Sequence, residues 1–332
     1  MDALVLVGGE GTRLRPLTAA TPKQLLPVAG VPMIERVVAH LAGHGVSHVV
    51  LSMGYRPDAF VEAYPGGTCA GVEITYAIEP ELLDTAGAVR FAALDAGLED
   101  TFLVVNGDVM TQIDVSALAR FHRLRGAQAT ISLTPVEDPS AYGVVPTDDS
   151  GRVLAFIEKP ARDDAPTNLI NAGMYVLEPS VLDLVADDRR VSIERETFPA
   201  LVAAGRLYAL ASDAYWIDTG TPASYLQANL DAIDHSGGAP VLGHGVTVAP
   251  DAVIERSVIG AGSRVEAGAE VRESVVLPGA CIGAGAVVRR SILGRRVTIG
   301  AGARVDDQTV VGDGVVVDPG ALLSGVRVPE PA

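Results

Sequence analysis

The segment VGGEGTRLRPLTAATPKQLLP, residues 7–27, concentrates groups that could bind phosphate. Its glycines stand at positions 8, 9 and 11, and its cations are Arg13, Arg15 and Lys23. Glycines let backbone amides approach an anion closely, and a turn of such amides forms an anion nest. The spacing is that of neither a P-loop nor a G-x-G-x-x-G turn. The clustering of cations in an acidic chain nevertheless indicates a polyphosphate ligand.

Lysine is rare in this chain, which makes its two lysines informative. Of the 25 basic residues, only Lys23 and Lys159 are lysines, and all the others are arginines. A compact ammonium that persists against this bias suits a position where a planar guanidinium would not fit. We therefore expect both lysines to be functional.

Several motifs, in order along the chain, resemble those of one enzyme family. GGEGTRLRPLTAATPKQLLPVAGVPMIE is similar to the pattern GGxGTRLxPLT…PKxLLPVxxxPMI of the sugar-phosphate nucleotidyltransferases. NAGMYVL, VSIERETFP and the closing VPEP most resemble the mannose-1-phosphate guanylyltransferases, whereas KQLLPV and WIDTGT are also similar to glucose-1-phosphate thymidylyltransferases. The matches extend over nearly all of the chain: VVNGDV (104–109), YGVV (142–145), FIEKP (156–160), NAGMYVLEP (171–179), VSIERETFP (191–199) and WIDTGTPASY (216–225).

The resemblance implies that a sugar 1-phosphate oxygen attacks the α-phosphorus of a nucleoside triphosphate and that pyrophosphate leaves. Because the nucleophile is already ionised, catalysis must bring two polyanions together and stabilise the leaving group. By the match of motifs, Arg13 is expected on the β- and γ-phosphates and Lys23 on the reacting phosphates. Asp108 in NGDV and Asp218 in WIDTG match the family's metal aspartates, and such hard oxygen ligands suit Mg²⁺.

The resemblance also assigns residues to the two substrates. The sugar 1-phosphate is expected on Lys159, with Glu158, Asn171 and the backbone of Gly143 around the sugar. The nucleotide is expected at Leu6, Gly8, Gly9, Gly11, Thr12, Gln24, Glu81, Asp84 and Gly107.

The segment that contacts the base departs from the family pattern. The family pattern at this point resembles P-L-G-T-A-G. This chain reads LLDTAG over residues 82–87, so that Leu82 replaces Pro and Asp84 replaces Gly. A carboxylate could accept hydrogen bonds from the N1–H and the exocyclic amine of guanine, a pair of donors that neither uracil nor thymine offers. We therefore expect base selectivity to depend on Asp84.

The expected reaction joins GTP and mannose 1-phosphate into GDP-mannose. Two alternatives remain open: a thymidylyl- or uridylyltransferase for glucose 1-phosphate, and a guanylyltransferase for a sugar-like cyclitol phosphate. A non-catalytic regulatory homologue that binds a sugar nucleotide should have lost a cation or a metal aspartate, and the chain has lost neither. An acyltransferase built on a β-helix of hexapeptide repeats is also disfavoured. Such enzymes commonly use a histidine of that domain in catalysis, and no histidine follows His244.

The elements that must position these residues follow from apolar periodicity. Strand-like and helix-like segments alternate over the first two-thirds of the chain, which predicts an α/β, Rossmann-like domain with a mixed, mostly parallel sheet. Ligands of such sheets bind at the carboxyl ends of strands, where the first glycines and NGD fall. The predicted strands are 3–7, 48–53, 72–78 and 101–106, and the predicted helices include 32–45, 86–97, 114–126, 193–205 and 222–235.

The last ninety residues have a different period. Apolar residues recur every six positions from Val253 to Leu277 and, after a four-residue step, from Cys281 through Val287 to Leu323. A six-residue repeat is typical of a left-handed parallel β-helix. The sequence thus predicts a nucleotidyltransferase domain over 1–235, a linker over 236–240 and a β-helix over 241–328. We expect this β-helix to serve assembly into a homo-oligomer or regulation.

Composition limits the partners. The formal net charge is −16, which argues against binding to nucleic acid. No apolar run has the length of a membrane span, and the two cysteines fit a reduced compartment. The sequence therefore predicts a cytoplasmic protein with small anionic substrates and no membrane partner.

Overall fold

The computed structural model describes residues 1–187 and 189–330. The α-helices are α1 (Met33–Gly43), α2 (Pro57–Ala63), α3 (Asp84–Asp95), α4 (Val115–Arg125), α5 (Phe198–Ala203) and α6 (Pro222–His235). The strands before residue 219 are β1 (Ala3–Leu6), β2 (Pro27–Val28), β3 (Val31–Pro32), β4 (His48–Met53), β5 (Thr68–Cys69), β6 (Val72–Ile78), β7 (Phe102–Asn106), β8 (Val109–Thr111), β9 (Ala129–Pro135), β10 (Gly143–Val144), β11 (Ile157–Glu158), β12 (Leu169–Leu177), β13 (Leu207–Ala211) and β14 (Trp216–Asp218).

Contacts group the chain into two units. The first, called here the sheet unit, contains Met1–Gly9 and Ile34–Trp216. The second, called the β-helix unit, contains Glu10–Met33 and the residues from Ile217 onward. The grouping therefore places most of residues 7–27 with the β-helix. These residues are called here the phosphate-binding segment, after their predicted ligand.

The sheet unit is built on a mixed sheet. Its strand order is β11-β10-β12-β7-β1-β4-β6-β5, and β9 joins it between β12 and β13. Strands β7, β1, β4 and β6 are parallel neighbours, whereas β12 lies antiparallel to β7. This confirms the predicted Rossmann-like sheet and brings the ends of β1 and β7 side by side, with Leu6 paired with Asn106.

Helix boundaries follow local capping chemistry. The Asp114 side chain accepts a hydrogen bond from Ala117 N, so α4 begins there, and α4 ends at Gly126 with a left-handed φ of 55°. Thr221 forms a capping box with Ser224 at the start of α6. The predicted helix over 193–205 is instead a π-helical turn, Ile193–Thr197, that leads into α5.

The core of the sheet unit lies around the central strands. Buried aliphatic side chains of β1, β4 and β7 pack with α3 and α5, and the largest buried side chains there include Phe102, Tyr175 and Phe198. Burial of such side chains contributes roughly 2 kcal/mol each. A rigid sheet therefore supports the loops that follow its strands.

The C-terminal strands form a parallel β-helix. Every third strand joins the same sheet, so the sheets run β15-β18-β21-β24-β27-β30, β16-β19-β22-β25-β28 and β17-β20-β23-β26-β29. This is the arrangement that the six-residue repeat predicts for a left-handed β-helix. The strands are β15 (Val241–Leu242), β16 (Thr247–Val248), β17 (Val253–Glu255), β18 (Val258–Ile259), β19 (Arg264–Val265), β20 (Glu270–Arg272), β21 (Val275–Val276), β22 (Cys281–Ile282), β23 (Val287–Arg289), β24 (Ile292–Leu293), β25 (Thr298–Ile299), β26 (Arg304–Asp306), β27 (Val310–Val311), β28 (Val316–Val317), β29 (Leu322–Ser324) and β30 (Arg327–Val328).

The core positions of the β-helix depart from a strict six-residue count between residues 276 and 288. The core there contains Val276, Ile282 and Val288, each one position from the apolar residue that the count reaches, which is Leu277, Cys281 or Val287. The reason is the length of a coil: Ser274 N bonds to Ser257 Oγ at a separation of 17 residues, so one step in three is five residues rather than six. At each of these places two neighbouring residues, such as Val287 and Val288, are both apolar or small. A count of six residues per step therefore could not detect the five-residue step.

Among the described residues, no helix combines the length and the apolar character that a bilayer span requires.

Candidate active site

A cavity of about 330 Å³ opens at the carboxyl end of β1 in the sheet unit. Gly8 allows a close approach there, because a Cβ would lie only 3.0 Å from Gly54 N and 3.4 Å from Glu79 Oε1. Four residues that the sequence assigns to the nucleotide line this cavity. The full set of lining residues is Leu6, Gly8, Gly9, Glu79, Leu82, Asp84, Thr85, Ala88 and Arg190.

Glu79 and Arg190 line the cavity although sequence reasoning missed both. Glu79 directly follows β6, and a polar residue at the carboxyl end of a parallel strand is a signal that could have identified it. Arg190 is more than a hundred residues away in sequence and carries no such signal. Glu81, in contrast, lines a separate surface depression of about 470 Å³ together with Arg90.

The Glu79 carboxylate closes the loop before α3. It accepts hydrogen bonds from Leu83 N at 3.2 Å and from Ser52 Oγ at 3.4 Å. Burial raises the pKa of Glu79, and these two hydrogen bonds oppose that shift. The side chain therefore links the end of β4 to the cavity wall.

Asp84 is the first residue of α3, and its backbone is left-handed, with a φ of 62°. Its Oδ1 accepts a hydrogen bond from Thr85 N at 2.8 Å, and the side chain is exposed at the cavity. Glycine adopts this conformation without steric cost, and aspartate is among the few other residues that do so readily. The backbone thus explains why the family motif has glycine here.

Asp108 follows β7 at the rim of the sheet, and Gly107 precedes it. A Cβ on Gly107 would lie 2.9 Å from Leu6 O and from Val7 Cγ1, and Gly107 N donates to Leu6 O at 3.0 Å. Gly107 therefore allows the chain to turn tightly against β1. The half-buried Asp108 carboxyl consequently follows the carboxyl end of a strand next to β1.

Glu158 and Lys159 extend from the edge of the same sheet. Gly143 pairs with Glu158, and a Cβ on Gly143 would collide with the ring of Phe156 and lie 3.1 Å from Glu158 Oε2. Lys159 has a left-handed φ of 49°, and its exposed Nζ lies 3.4 Å from Glu158 Oε1. A lysine in this conformation is uncommon and is typical of functional sites.

Asn171 lies at an irregularity of β12, where the register to β9 shifts before Tyr175. Its Nδ2 donates to Tyr175 Oη at 2.8 Å, and its Oδ1 accepts from Gly173 N at 2.9 Å. Burial raises the pKa of Tyr175, so this phenol stays protonated. Nearby, Trp216 Nε1 donates to Ala172 O at 2.9 Å and so holds the residue before Ile217 and Asp218 against β12.

In the β-helix unit, the phosphate-binding segment folds on itself. Thr18 Oγ1 donates to Gly11 O at 2.8 Å. Gly11 has a φ of 64°, and a Cβ there would lie 3.3 Å from Lys23 Cβ. Thr12 begins a 3₁₀ turn, Thr12–Leu14, and is exposed. The segment therefore brings Gly11, Thr12 and Lys23 together.

Arg13 and Asp218 meet at Gly220. A Cβ on Gly220 would collide with the Arg13 guanidinium and lie 2.8 Å from Asp218 Oδ1. Gly220 N also donates to Asp218 Oδ1 at 2.7 Å. Sequence reasoning missed Gly220, although its place in WIDTGT, two residues after Asp218, could have identified it. A cation and a carboxylate thus adjoin in one place, where a phosphate and a metal would both find partners.

Gln24 is the last predicted residue of the segment. It lies in a 3₁₀ turn, Lys23–Leu25, with 1% of its surface exposed. Across the described ranges, its Oε1 has no hydrogen-bond partner. A buried, unpaired acceptor is costly, so a ligand or an ordered water would stabilise it.

The predicted site residues therefore divide between the units. Those of the sheet unit are Leu6, Gly8, Gly9, Glu81, Asp84, Gly107, Asp108, Gly143, Glu158, Lys159 and Asn171. Those of the β-helix unit are Gly11, Thr12, Arg13, Lys23, Gln24 and Asp218.

Comparison with known families gives two matches. Residues 2–235 match the family described as nucleotidyl transferase. Residues 238–331 match the family described as GMPPB C-terminal domain.

Relatives that resemble this chain over most of its length are mannose-1-phosphate guanylyltransferases. A mannose-1-phosphate guanylyltransferase of Mycobacterium tuberculosis is 41% identical over 265 residues, which cover 76% of this chain and 73% of the relative. A mannose-1-phosphate guanyltransferase of Schizosaccharomyces pombe is 44% identical over 231 residues, which cover 68% of this chain and 62% of the relative.

Solved structures show the same fold over the first part of the chain. A protein of Bacillus anthracis, provisionally assigned as a glucose-1-phosphate thymidylyltransferase, matches with a TM-score of 0.64 at 25% identity, over 70% of this chain and 96% of its own. HddC from Yersinia pseudotuberculosis, complexed with GMP-PN, matches with a TM-score of 0.58 at 26% identity, over 70% of this chain and 99% of its own.

Proposed function

The chain belongs to the nucleotidyl transferase family, and we propose that it converts GTP and mannose 1-phosphate into GDP-mannose and pyrophosphate. Two observations support this proposal. The meeting of Arg13 and Asp218 at Gly220 supports the chemistry, because it offers a cation for phosphate beside a carboxylate for a metal. The mannose-1-phosphate guanylyltransferase relatives support the choice of substrates.

The protein's part in the reaction is electrostatic. A sugar phosphate oxygen is nucleophilic without a general base, so the barrier lies in the repulsion of two polyanions and in the charge on the leaving pyrophosphate. In this proposal Arg13 neutralises the β- and γ-phosphates, and Lys23 neutralises the reacting phosphates. Backbone amides near Gly8, Gly9 and Gly11 complete the anion nest.

The available donors suit Mg²⁺. In the described part of the chain, no group of three or more His, Cys, Asp or Glu side chains could hold a metal ion. Mg²⁺ does not require one, since it keeps several waters and is commonly held by one or two carboxylates and substrate phosphates. Asp218, beside Arg13, is the carboxylate that we propose for it, and the metal role that the resemblance implies for Asp108 stays a prediction. When bound, the ion would neutralise charge on the phosphates.

The base is proposed to enter the 330 Å³ cavity beside Asp84. A carboxylate that accepts from N1–H and from the exocyclic amine would favour guanine over uracil and thymine. Leu6 and Leu82 supply apolar surface for the base. Glu79 has both oxygens engaged by Leu83 N and Ser52 Oγ, so it is assigned to the cavity wall.

The sugar phosphate is proposed to bind at Lys159, with Glu158 accepting from sugar hydroxyls. Lys159 is exposed and separated from Glu158 by 3.4 Å, so a phosphate could take the ammonium at little cost. Asn171 is held by Tyr175 and Gly173, which fixes the orientation of its amide. Its remaining N–H and its second lone pair are the groups that we propose for the sugar.

A substrate panel tests the proposal. Pyrophosphate release would be measured for five nucleoside triphosphates against mannose 1-phosphate, glucose 1-phosphate and a cyclitol phosphate, each with Mg²⁺ and with excess chelator. We expect the largest kcat/KM for GTP with mannose 1-phosphate and none with chelator. A preference for dTTP with glucose 1-phosphate would instead support the thymidylyltransferase alternative, and no release from any pair would reject the enzymatic proposal. We further propose a cytoplasmic location, where GTP is available as a substrate.

A further inference from the structure

Three consecutive coils of the β-helix contact the phosphate-binding segment within the β-helix unit. The Arg295 guanidinium donates to Thr21 Oγ1, and Arg327 Nη1 donates to Arg15 O at 3.2 Å. Gly312 packs on Pro16, since a Cβ on Gly312 would lie 3.0 Å from Pro16 Cβ. In each contact, close to three hundred residues of sequence separate the two partners.

The three contacts share one corner of the β-helix. Arg295 and Gly312 follow β24 and β27, and Arg327 is the first residue of β30. These three strands are neighbours in one parallel sheet, with Leu293, Val311 and Val328 in register. Asp313 orders this corner further, because its Oδ1 accepts from Arg295 N at 2.7 Å. The surface that meets the segment is therefore a regular and rigid one.

The contacted residues lie between the two catalytic cations. The stretch between Arg13 and Lys23 contains Arg15, Pro16 and Thr21. The stretch itself is short of regular structure: it is closed by 3₁₀-type bonds such as Leu17 N to Leu14 O and Ala19 N to Pro16 O. Such turns are weak alone, so external contacts decide how firmly the segment is held.

The far end of the segment is held differently. Tyr225 Oη donates to Pro27 O at 2.5 Å, and Asn229 Oδ1 accepts from Ala29 N at 2.8 Å, both side chains belonging to buried positions of α6. Helix α6 therefore anchors residues 27–29. The β-helix corner contacts the part nearer Arg13.

We propose that Arg295 and Arg327 are positioning residues for catalysis, which hold the segment so that Arg13 and Lys23 meet the phosphates. The inference rests on the proposed nucleotidyl transfer. It assigns the β-helix a part in turnover beyond assembly. Because displacement of a catalytic group by about 1 Å can cost on the order of 100-fold in rate, loss of one support should lower kcat more than it raises KM.

The kinetic test compares Arg295→Ala with Arg296→Ala. Arg296 is the exposed neighbour on the same coil and serves as the matched control. We expect Arg295→Ala to lower kcat by about 10- to 100-fold with KM within about threefold, and Arg296→Ala to leave both unchanged. Thr21→Val should lower kcat about as much as Arg295→Ala does. The double variant should have a kcat little lower than either single variant, because both substitutions remove the same hydrogen bond. Additive losses, or equal effects of Arg295→Ala and Arg296→Ala, would overturn the proposal.

Hydrogen exchange supplies a readout that is independent of activity. In Arg295→Ala, the amides of Leu14, Leu17 and Ala19 should exchange faster than in Arg296→Ala, while amides of the β-helix core stay protected. Equal exchange in the two variants would also overturn the proposal. If the wild type released no pyrophosphate while exchange differed as expected, the proposed function would fail and the support of the segment would stand.

Discussion

At the scale of single residues, two of the proposed substrate positions have a left-handed backbone. Asp84 and Lys159 are left-handed without being glycine, which costs roughly 1 kcal/mol at each position. Other left-handed residues of this kind, such as Arg256, Glu273 and Arg290, recur at equivalent corners of the β-helix, where coil geometry demands them. Asp84 and Lys159 have no such repeat, and both are exposed beside proposed subsites.

Replacement of Asp84 by glycine tests the base assignment. Glycine keeps the left-handed backbone and removes only the carboxylate, so we expect the fold to be retained. The ratio of kcat/KM for GTP over dTTP should fall by about 10-fold or more, because a bidentate contact contributes on the order of 1–3 kcal/mol of discrimination. Steady-state kinetics with both nucleotides measure this ratio.

Asp307 provides the matched control for this substitution. It is an exposed, left-handed aspartate, with a φ of 56°, in a turn of the β-helix. Asp307→Gly makes the same substitution at a residue that does not line the cavity, and it should leave the ratio unchanged. If Asp84→Gly also left it unchanged, Asp84 would not read the base.

At the scale of elements, the sequence predicts those elements whose signals are local. Strands β4 and β6 and helix α6 have the predicted bounds, since alternation of apolar residues and the cap at Thr221 are visible in a short window. The residues that line the cavity could only partly be predicted, because Arg190 reaches it through tertiary folding. The contact of Arg295 with Thr21 had no sequence signal, since 274 residues separate the two.

Paired valines of β23 test the register of the β-helix. Val288 is fully buried in the core, whereas Val287, the position that the six-residue count reaches, is partly exposed. Val288→Ala should lower the free energy of unfolding by about 2 kcal/mol, because it removes two buried methyl groups and leaves a cavity. Val287→Ala should cost less than about 1 kcal/mol. Chemical denaturation of the two variants compares these values directly, and a larger loss in Val287→Ala than in Val288→Ala would contradict the register of the structure.

At the scale of the whole molecule, the contact grouping cuts across the order of the chain. The phosphate-binding segment begins in the sheet unit at Gly8 and Gly9 and continues in the β-helix unit from Glu10. Its two parts therefore depend on different cores for their order. The homo-oligomer that the sequence predicts stays a prediction, which light scattering can test.

The two cysteines report on the two units separately. Cys69, in β5 of the sheet unit, is 2% exposed, and burial raises the pKa of its thiol to about 11. Cys281, in β22 of the β-helix, is partly exposed, with Arg264 Nη2 at 3.6 Å from its sulfur. Because the sulfur of Cys281 is partly exposed while the Cys69 thiol is buried and keeps its proton, we expect a thiol reagent at pH 8 to modify Cys281 quickly and Cys69 only when the sheet unit opens.

Rates of labelling measure this difference, and Cys281→Ser provides the control. In that variant Cys69 is the remaining cysteine. The native chain should therefore react slowly with the thiol reagent, and each unfolded chain should take up one label. The sign of the pH effect follows from the raised pKa. Between pH 9, near the ordinary value of the thiol, and about pH 11, the unfolded chain loses this proton while the folded chain keeps it, so the stability of the sheet unit should fall as pH rises. Rapid labelling of Cys69 in the native Cys281→Ser variant at pH 8 would contradict the packing of β5 against β6.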